Sequence, residues 1–407
     1  MLLRYKYHYM SKIRWSMFAH PWDLIDEGIQ SSVEYLSEIG INTINVATSY
    51  HTGRYVLPHN QKHRIYTAEE GVVYFNSNDK YFLTSKLKPI KTKKYGNYDI
   101  LSELTEIGRN SSIDVSAWLI LLHNRVLAMR YPELAIVDPF GNRDANYLCP
   151  NREENRNYMS SLLANVVDCY KIKSVLLESP GYPTGLVHGN HHETFGVSID
   201  PTVSYLFSMC YCDLCKKKGR ENGINLDDEL PIIRKLINRK INSLSKYHNN
   251  ITSERHIIND LKKYGLEDIK YFKEANVKEI FTYLYEKIQG INSNVKMEAI
   301  FDYETYINEG LSLENPPKKV YGIDMNVYYS DINKIIENVG LATKLLKGMT
   351  KFFPTIRITY PMIIRNGQIE DIIKLLKQFN FAGINFYNYG WATLKNLREV
   401  SNSIKNY

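Results

Sequence analysis

Eight short runs of β-branched and aromatic residues recur along the chain, separated by amphipathic helical stretches, and this alternation limits the fold more than any other feature. The runs are Ile13 to Phe18, Thr43 to Ala47, Asp114 to Leu121, Ser174 to Glu178, Val295 to Asp302, Tyr321 to Tyr328, Thr355 to Tyr360 and Gly383 to Tyr387. Helical patterns follow them, for example Leu24 to Ile39, Tyr98 to Ile107, Asn155 to Tyr170, Asp331 to Leu346, Ile369 to Phe379 and Ala392 to Ile404. Strands that alternate with helices pair in parallel, with the helices packed outside the sheet. Eight such units close a barrel, so the expected fold class is α/β, a (β/α)8 TIM barrel.

The 407 residues exceed what eight compact units require. The excess falls in three connections, Thr48 to about Tyr95, Leu122 to Pro150 and Ser179 to about Asn294, which follow strands 2, 3 and 4. In a barrel these are the C-terminal strand ends, where sites are assembled. The polar stretch Asp227 to Gln289 reads as a helical excursion packed on the barrel, and residues 1–407 are expected to form a single domain.

Cys210, Cys212 and Cys215 form C-x-C-x-x-C. Three thiols this close suit a soft metal better than disulfides, and Cys149, in the adjacent loop after strand 3, supplies a fourth. Four thiolates leave no open position on the metal, so the expected cofactor is a structural zinc. Cys169, beside Val166 and Val167, is expected to be a buried apolar residue.

The segment Asn146 to Pro150, the strand ending in Glu178, and Cys210 to Cys215 together resemble family-42 β-galactosidases and related barrels of the large retaining glycosidase clan. The resemblance covers roughly the first half of the barrel. It implies zinc on Cys149, Cys210, Cys212 and Cys215, and a general acid/base role for Glu178. The family's nucleophile is a Glu ending strand 7, whereas Thr355 to Pro361 contains no carboxylate.

Glycoside hydrolysis uses two carboxyl groups flanking the scissile bond. Glu178 leaves the apolar run Val175-Leu176-Leu177 at the barrel mouth, where burial favours the protonated acid. On strand 5, Glu298, Asp302 and Glu304 share a face by period-two alternation, and Asp302 lies nearest the mouth. Asp302 is the expected partner, with Asp324 next; Asn326 and Tyr328 share the face of Asp324 on strand 6.

Polar and aromatic residues just past strand ends make a sugar-binding set: His20 and Trp22, then Tyr50, His51 and Arg54, then His123 and Asn124, then Tyr387 and Trp391. His191 and His192, in the loop His188 to Glu193, are expected to bond substrate or hold loop structure, with a metal-dependent hydrolase as the lesser alternative because H-E-x-x-H spacing is absent.

Fifty-one Lys and Arg against 44 Asp and Glu give a weak, dispersed positive charge, unlike a nucleic-acid-binding surface. No segment has the ~20 apolar residues of a membrane span, and Met1 to His8 forms no signal-peptide core. A cytoplasmic location is expected, with neither nucleic acid nor membrane as a partner. The 32 tyrosines suit ring-shaped polar ligands, although genome composition explains most of them. Nothing resembles a nucleotide-binding loop. The sequence therefore points to a glycoside hydrolase with a carbohydrate substrate; a non-catalytic carbohydrate-binding barrel is the alternative. Self-association as a homo-oligomer is an option that no motif decides.

Overall fold

The computed structural model describes residues 13–186, 199–242 and 254–407. Its eight parallel strands are β1 (Arg14–Ala19), β2 (Thr43–Tyr50), β3 (Asp114–Ile120), β4 (Ser174–Glu178), β5 (Lys296–Asp302), β6 (Gly322–Asn326), β7 (Lys351–Arg357) and β8 (Gly383–Tyr387). Each pairs with the next, and β1 pairs with both β2 and β8, closing the barrel. At the closure Gly383 lies opposite Arg14, where a Cβ would stand 2.3 Å from the Arg14 carbonyl oxygen, so this crossing needs glycine.

β7 begins and ends earlier than the sequence suggests. It contains Pro354, which has no N–H to give to a ladder. In the structure that residue pairs only towards β6, opposite Met325, because the ladder with β8 starts at Thr355. That ladder, and the strand with it, ends where Arg357 meets Tyr387.

Helices Ile29–Glu38, Ile100–Asn110, Glu153–Cys169, Glu267–Ile291, Ile332–Leu346, Gln368–Leu376 and Leu394–Lys405 surround the barrel. The β5–β6 connection contains turns and no helix, consistent with the missing N–H groups of Pro316 and Pro317. Helix Glu153–Cys169 buries Tyr158, Met159, Leu162, Leu163, Val166 and Val167 at helical spacing, and packs against Glu267–Ile291. The latter is thus the barrel's own outer helix after β4, while the preceding helices form the excursion. Cys169 corrects an expectation: it is exposed at the end of its helix, beside exposed Asp168 and off the buried face.

The three long connections are ordered in their described parts. After β2 comes a hairpin, Gly53–Val56 with Ile65–Ala68, and Val72–Val73 adds an antiparallel rung to the end of β2. After β3, helix Arg125–Arg130 leads into a second hairpin, Ala135–Val137 with Arg143–Leu148. After β4 lie helices Pro201–Phe207, Asp213–Glu221, Leu226–Ile241 and Glu254–Lys263.

The lower barrel interior is charged. Arg14 donates to Glu298 at 2.6 Å and to Asp324 at 2.8 Å, and its guanidinium lies 3.4 Å from the centre of the Phe353 ring. Asn385 also donates to Asp324, at 2.5 Å. Burial works to lower the Arg14 pKa, but the carboxylates of Glu298 and Asp324 hold it above its ordinary value. Burial and the charge of Glu298 push Asp324 well above the usual carboxylate range.

Candidate active site

Above that layer, inward positions of the same strands line a cavity of about 1090 Å³ at the C-terminal mouth. Phe18, Trp118, Glu178, Ile300, Asp302, Asn326, Arg357 and Tyr387 come from seven of the eight strands, excluding β2 apart from its terminal Tyr50. The hairpin after β2 adds Arg54 and Tyr55 to one wall, and Trp391 stands beyond β8.

Glu178 accepts a hydrogen bond from Trp118 Nε1 at 2.7 Å. Burial raises its pKa to about 7, the Trp118 bond acts in the opposite direction, and the charge of Asp302 adds to the rise. Asp302 is likewise raised to about 7 by burial, although it accepts the Glu304 backbone N–H at 2.9 Å. Glu178 pairs with Ile300 across β4 and β5, so Asp302 stands two residues nearer the mouth on the adjacent strand. Strand spacing and rise place the two Cα atoms roughly 8 Å apart.

The surrounding wall is aromatic. Tyr55 stacks on Trp391 with centroids 4.8 Å apart, Tyr387 meets Trp391 edge-on at 5.2 Å, and the Tyr50 and Tyr387 hydroxyls are 3.3 Å apart. Such surfaces fit the C–H face of a ring while carboxyl and hydroxyl groups bond its polar edge.

Seven of the residues selected from sequence for catalysis or sugar binding therefore border one cavity, Glu178, Asp302, Tyr50, His51, Arg54, Tyr387 and Trp391, and Asn326 and Tyr328 of the strand-6 face join them. Five others do not. His20 and Trp22 are fully buried and stacked at 4.3 Å behind the wall, and burial lowers the His20 pKa to about 3, so its ring is neutral. His123 is sandwiched between Tyr147 and His51. Asn124 caps helix Arg125–Arg130 by accepting the Leu127 N–H at 3.0 Å. Asp324 lies in the lower charged layer, held by Arg14 and Asn385, because its inward position is two residues below that of Asn326. His191, His192 and the rest of His188 to Glu193 lie outside the described residues.

Sequence reasoning missed Trp118, Tyr55, Arg357 and Glu309. An inward-phased tryptophan near the end of a predicted strand was a usable signal for Trp118. Arg357 was hidden by the misplaced end of β7. Glu309, buried in the β5–β6 connection, accepts from Thr305 at 3.0 Å and is pushed well above the carboxylate range by burial and the charge of Asp302. No sequence pattern marked it.

The four cysteines selected from sequence meet beside this face. Cys149 follows the second hairpin, Cys212 is the N-cap of helix Asp213–Glu221, and Cys215 lies in its first turn. All four are buried, and their sulfurs lie within 4.8 Å of one another, Cys149 being 3.5 Å from Cys215 and 3.9 Å from Cys212. Tetrahedral zinc with ~2.3 Å Zn–S bonds requires S–S separations of about 3.8 Å, so the donor set fits the ion. Asn151 Nδ2 donates to Cys215 Sγ at 3.3 Å, an outer contact of the kind that orients ligands. Burial pushes Cys149 and Cys210 up, while hydrogen bonds from Cys149, Cys210 and Cys215 hold Cys212 far down. Without a cation, four thiolates cannot share this apolar space.

No protein-family model matches the sequence, and no curated protein does. Solved structures do match. The glycoside hydrolase domain of PgaB (BpsB) from Bordetella bronchiseptica gives a TM-score of 0.58 at 10% identity, covering 97% of this chain and 99% of that one. β-Galactosidase from the psychrophilic Marinomonas ef1 gives 0.59 at 8% identity, covering 97% of this chain and 59% of that one. A catalytic mutant of Gan42B, a GH42 β-galactosidase from G. stearothermophilus, gives 0.57 at 12% identity, covering 97% and 56% respectively. The chain thus spans little more than half the length of these galactosidases. The likeness establishes architecture: the chain is a (β/α)8 barrel of the kind on which glycoside hydrolases are built.

Proposed function

We propose that the protein is a glycoside hydrolase in which Glu178 is the general acid/base and Asp302 its partner. The observation that carries this reading is a pair of carboxyl groups on adjacent strands, both raised to about 7, facing one aromatic-walled cavity. Near neutral pH such a pair holds one proton between two sites, supplying an acid and a base together. Glu178 passes its proton to the glycosidic oxygen as the C–O bond breaks. Asp302 then either attacks the anomeric carbon or takes a proton from the attacking water. His51, Arg54, Tyr387 and Trp391 contact the sugar. Low identity to the galactosidases leaves the sugar to be found by assay, and β-galactosides are the first substrates to try.

Glu178→Gln is expected to reduce kcat by about 10²–10⁴-fold on any glycoside the wild type cleaves, with unchanged secondary structure by circular dichroism. Full activity in that variant would remove Glu178 from the reaction. A carbohydrate-binding barrel without catalysis is the second reading, favoured by Arg357 ending β7 where the resembled family has its nucleophile. Binding of a glycoside with no cleavage on prolonged incubation would select it.

Cys149, Cys210, Cys212 and Cys215 are proposed to hold one structural zinc ion, which joins the loops after β3 and β4 and takes no part in bond cleavage. Reduced thiols in this role suit a cytoplasmic location. One zinc per chain is expected by elemental analysis, with its loss and an earlier thermal transition in Cys212→Ser. A metal-free wild type that melts with the variant would end this assignment.

A further inference from the structure

Arg357 ends β7, three strands from Glu178 and two from Asp302 around the mouth. Its Nε donates to Thr359 Oγ1 at 3.1 Å, and its guanidinium carbon lies 5.4 Å from the centre of the Trp391 ring. These contacts fix the plane of the guanidinium while leaving its terminal NH₂ groups without an acceptor among the described residues. No described carboxylate lies within ion-pair distance of it, whereas Arg14 in the same barrel has two. Arg54, at the rim on the hairpin after β2, brings a second positive charge to the cavity.

A half-buried cation with two unspent donors is a poor partner for a neutral sugar, whose hydroxyls are satisfied by smaller groups. It is well shaped for a planar or tetrahedral oxyanion, which it grips with two parallel hydrogen bonds. Placing the anion at this wall also keeps it away from Glu178 and Asp302, which would repel it.

We infer that the carbohydrate recognised by this cavity is anionic, a uronic acid or a sulfated sugar, with its carboxylate or sulfate on Arg357. The inference rests on the carbohydrate reading of the cavity and adds its substrate class.

The test is isothermal titration of the full chain with matched 4-nitrophenyl glycosides: glucuronide against glucoside, galacturonide against galactoside, and the 6-sulfate of each neutral sugar. At least one acidic compound is expected to bind about tenfold or more tighter than its neutral partner. That preference should vanish in Arg357→Gln, return in part in Arg357→Lys, and shrink with added salt. The carboxylate and sulfate arms identify which oxyanion is read. Equal binding within every pair, no binding by any acidic compound, or a preference that survives in folded Arg357→Gln would each overturn the inference. Nitrophenol release separates this from the catalytic proposal. Cleavage of neutral glycosides without acid preference defeats only the anion assignment, whereas tight acid-selective binding without release defeats only hydrolysis.

Discussion

β5 carries two carboxyl groups four residues apart on one face, and they belong to different worlds. Glu298, low in the barrel, is locked to Arg14 at 2.6 Å. Asp302, at the mouth, has a backbone N–H and the neighbouring carboxyls Glu178 and Glu309, with no described cation in ion-pair range. The lower group is balanced and enclosed, as a structural charge must be. The upper group is half-buried at the cavity and has no such counter-ion among the described residues. The difference between the layers lies in the counter-ion: Arg14 supplies one to Glu298, and no described cation supplies one to Asp302.

The largest test of this contrast is Arg14→Met. Leaving Glu298 and Asp324 buried without their cation is expected to cost about 3–5 kcal/mol in urea unfolding. A cost below about 1 kcal/mol would show the lower layer to be as tolerant as the mouth.

The pH dependence of stability comes next. Glu178 and Asp302 have folded values of about 7, against ordinary values of 4.5 and 3.8. Between those limits the native state binds more protons than the unfolded chain, so stability present at low pH is lost as pH rises through about 7. The double variant Glu178→Gln, Asp302→Asn should remove a decline of a few kcal/mol from that window, short of the roughly 8 kcal/mol that both displacements would give without solvent screening at half-buried Asp302. The decline that remains belongs to other raised carboxyls such as Asp324 and Glu309. An unchanged profile would mean that the mouth carboxyls are already ionised.

The smallest effect is expected for Asp324→Asn. Burial and the charge of Glu298 push the Asp324 carboxyl towards its neutral form, and asparagine keeps an oxygen to accept from Arg14 and Asn385, so the expected cost is within about 1 kcal/mol by the same measurement. A cost of several kcal/mol would show Asp324 to be ionised, making the lower layer doubly anionic.

The sequence made the barrel legible because each strand and helix has its own short-range period. The cysteine cluster was legible for a similar reason: three ligands lie within six residues, and the fourth sits in the neighbouring loop. Alternation gives the inward face of a strand but not its height in the barrel. For that reason Asp324 was grouped with Asp302 although they lie in different layers. Height is set by register between strands distant in sequence, as when Asp324 pairs with Ile300. Side-chain direction beyond a strand end is equally non-local: His20 and Trp22 turn behind the wall while Trp391 turns into it. Arg357 was concealed because the expected run continued past it to Tyr360, whereas the strand ends on it, and a strand's end is set by its neighbours.

The placement of the tryptophans has an optical consequence. The chain has four, and two of them, Trp118 and Trp391, border the cavity, while Trp15 and Trp22 are buried elsewhere. Trp118 is hydrogen-bonded to Glu178 itself. The protein's own ultraviolet emission thus comes from two tryptophans away from the cavity and two that border it, one of which touches the carboxyl whose protonation governs the proposed reaction. Titrating that emission against pH would follow the acid directly, in the untouched protein, before any substrate is known.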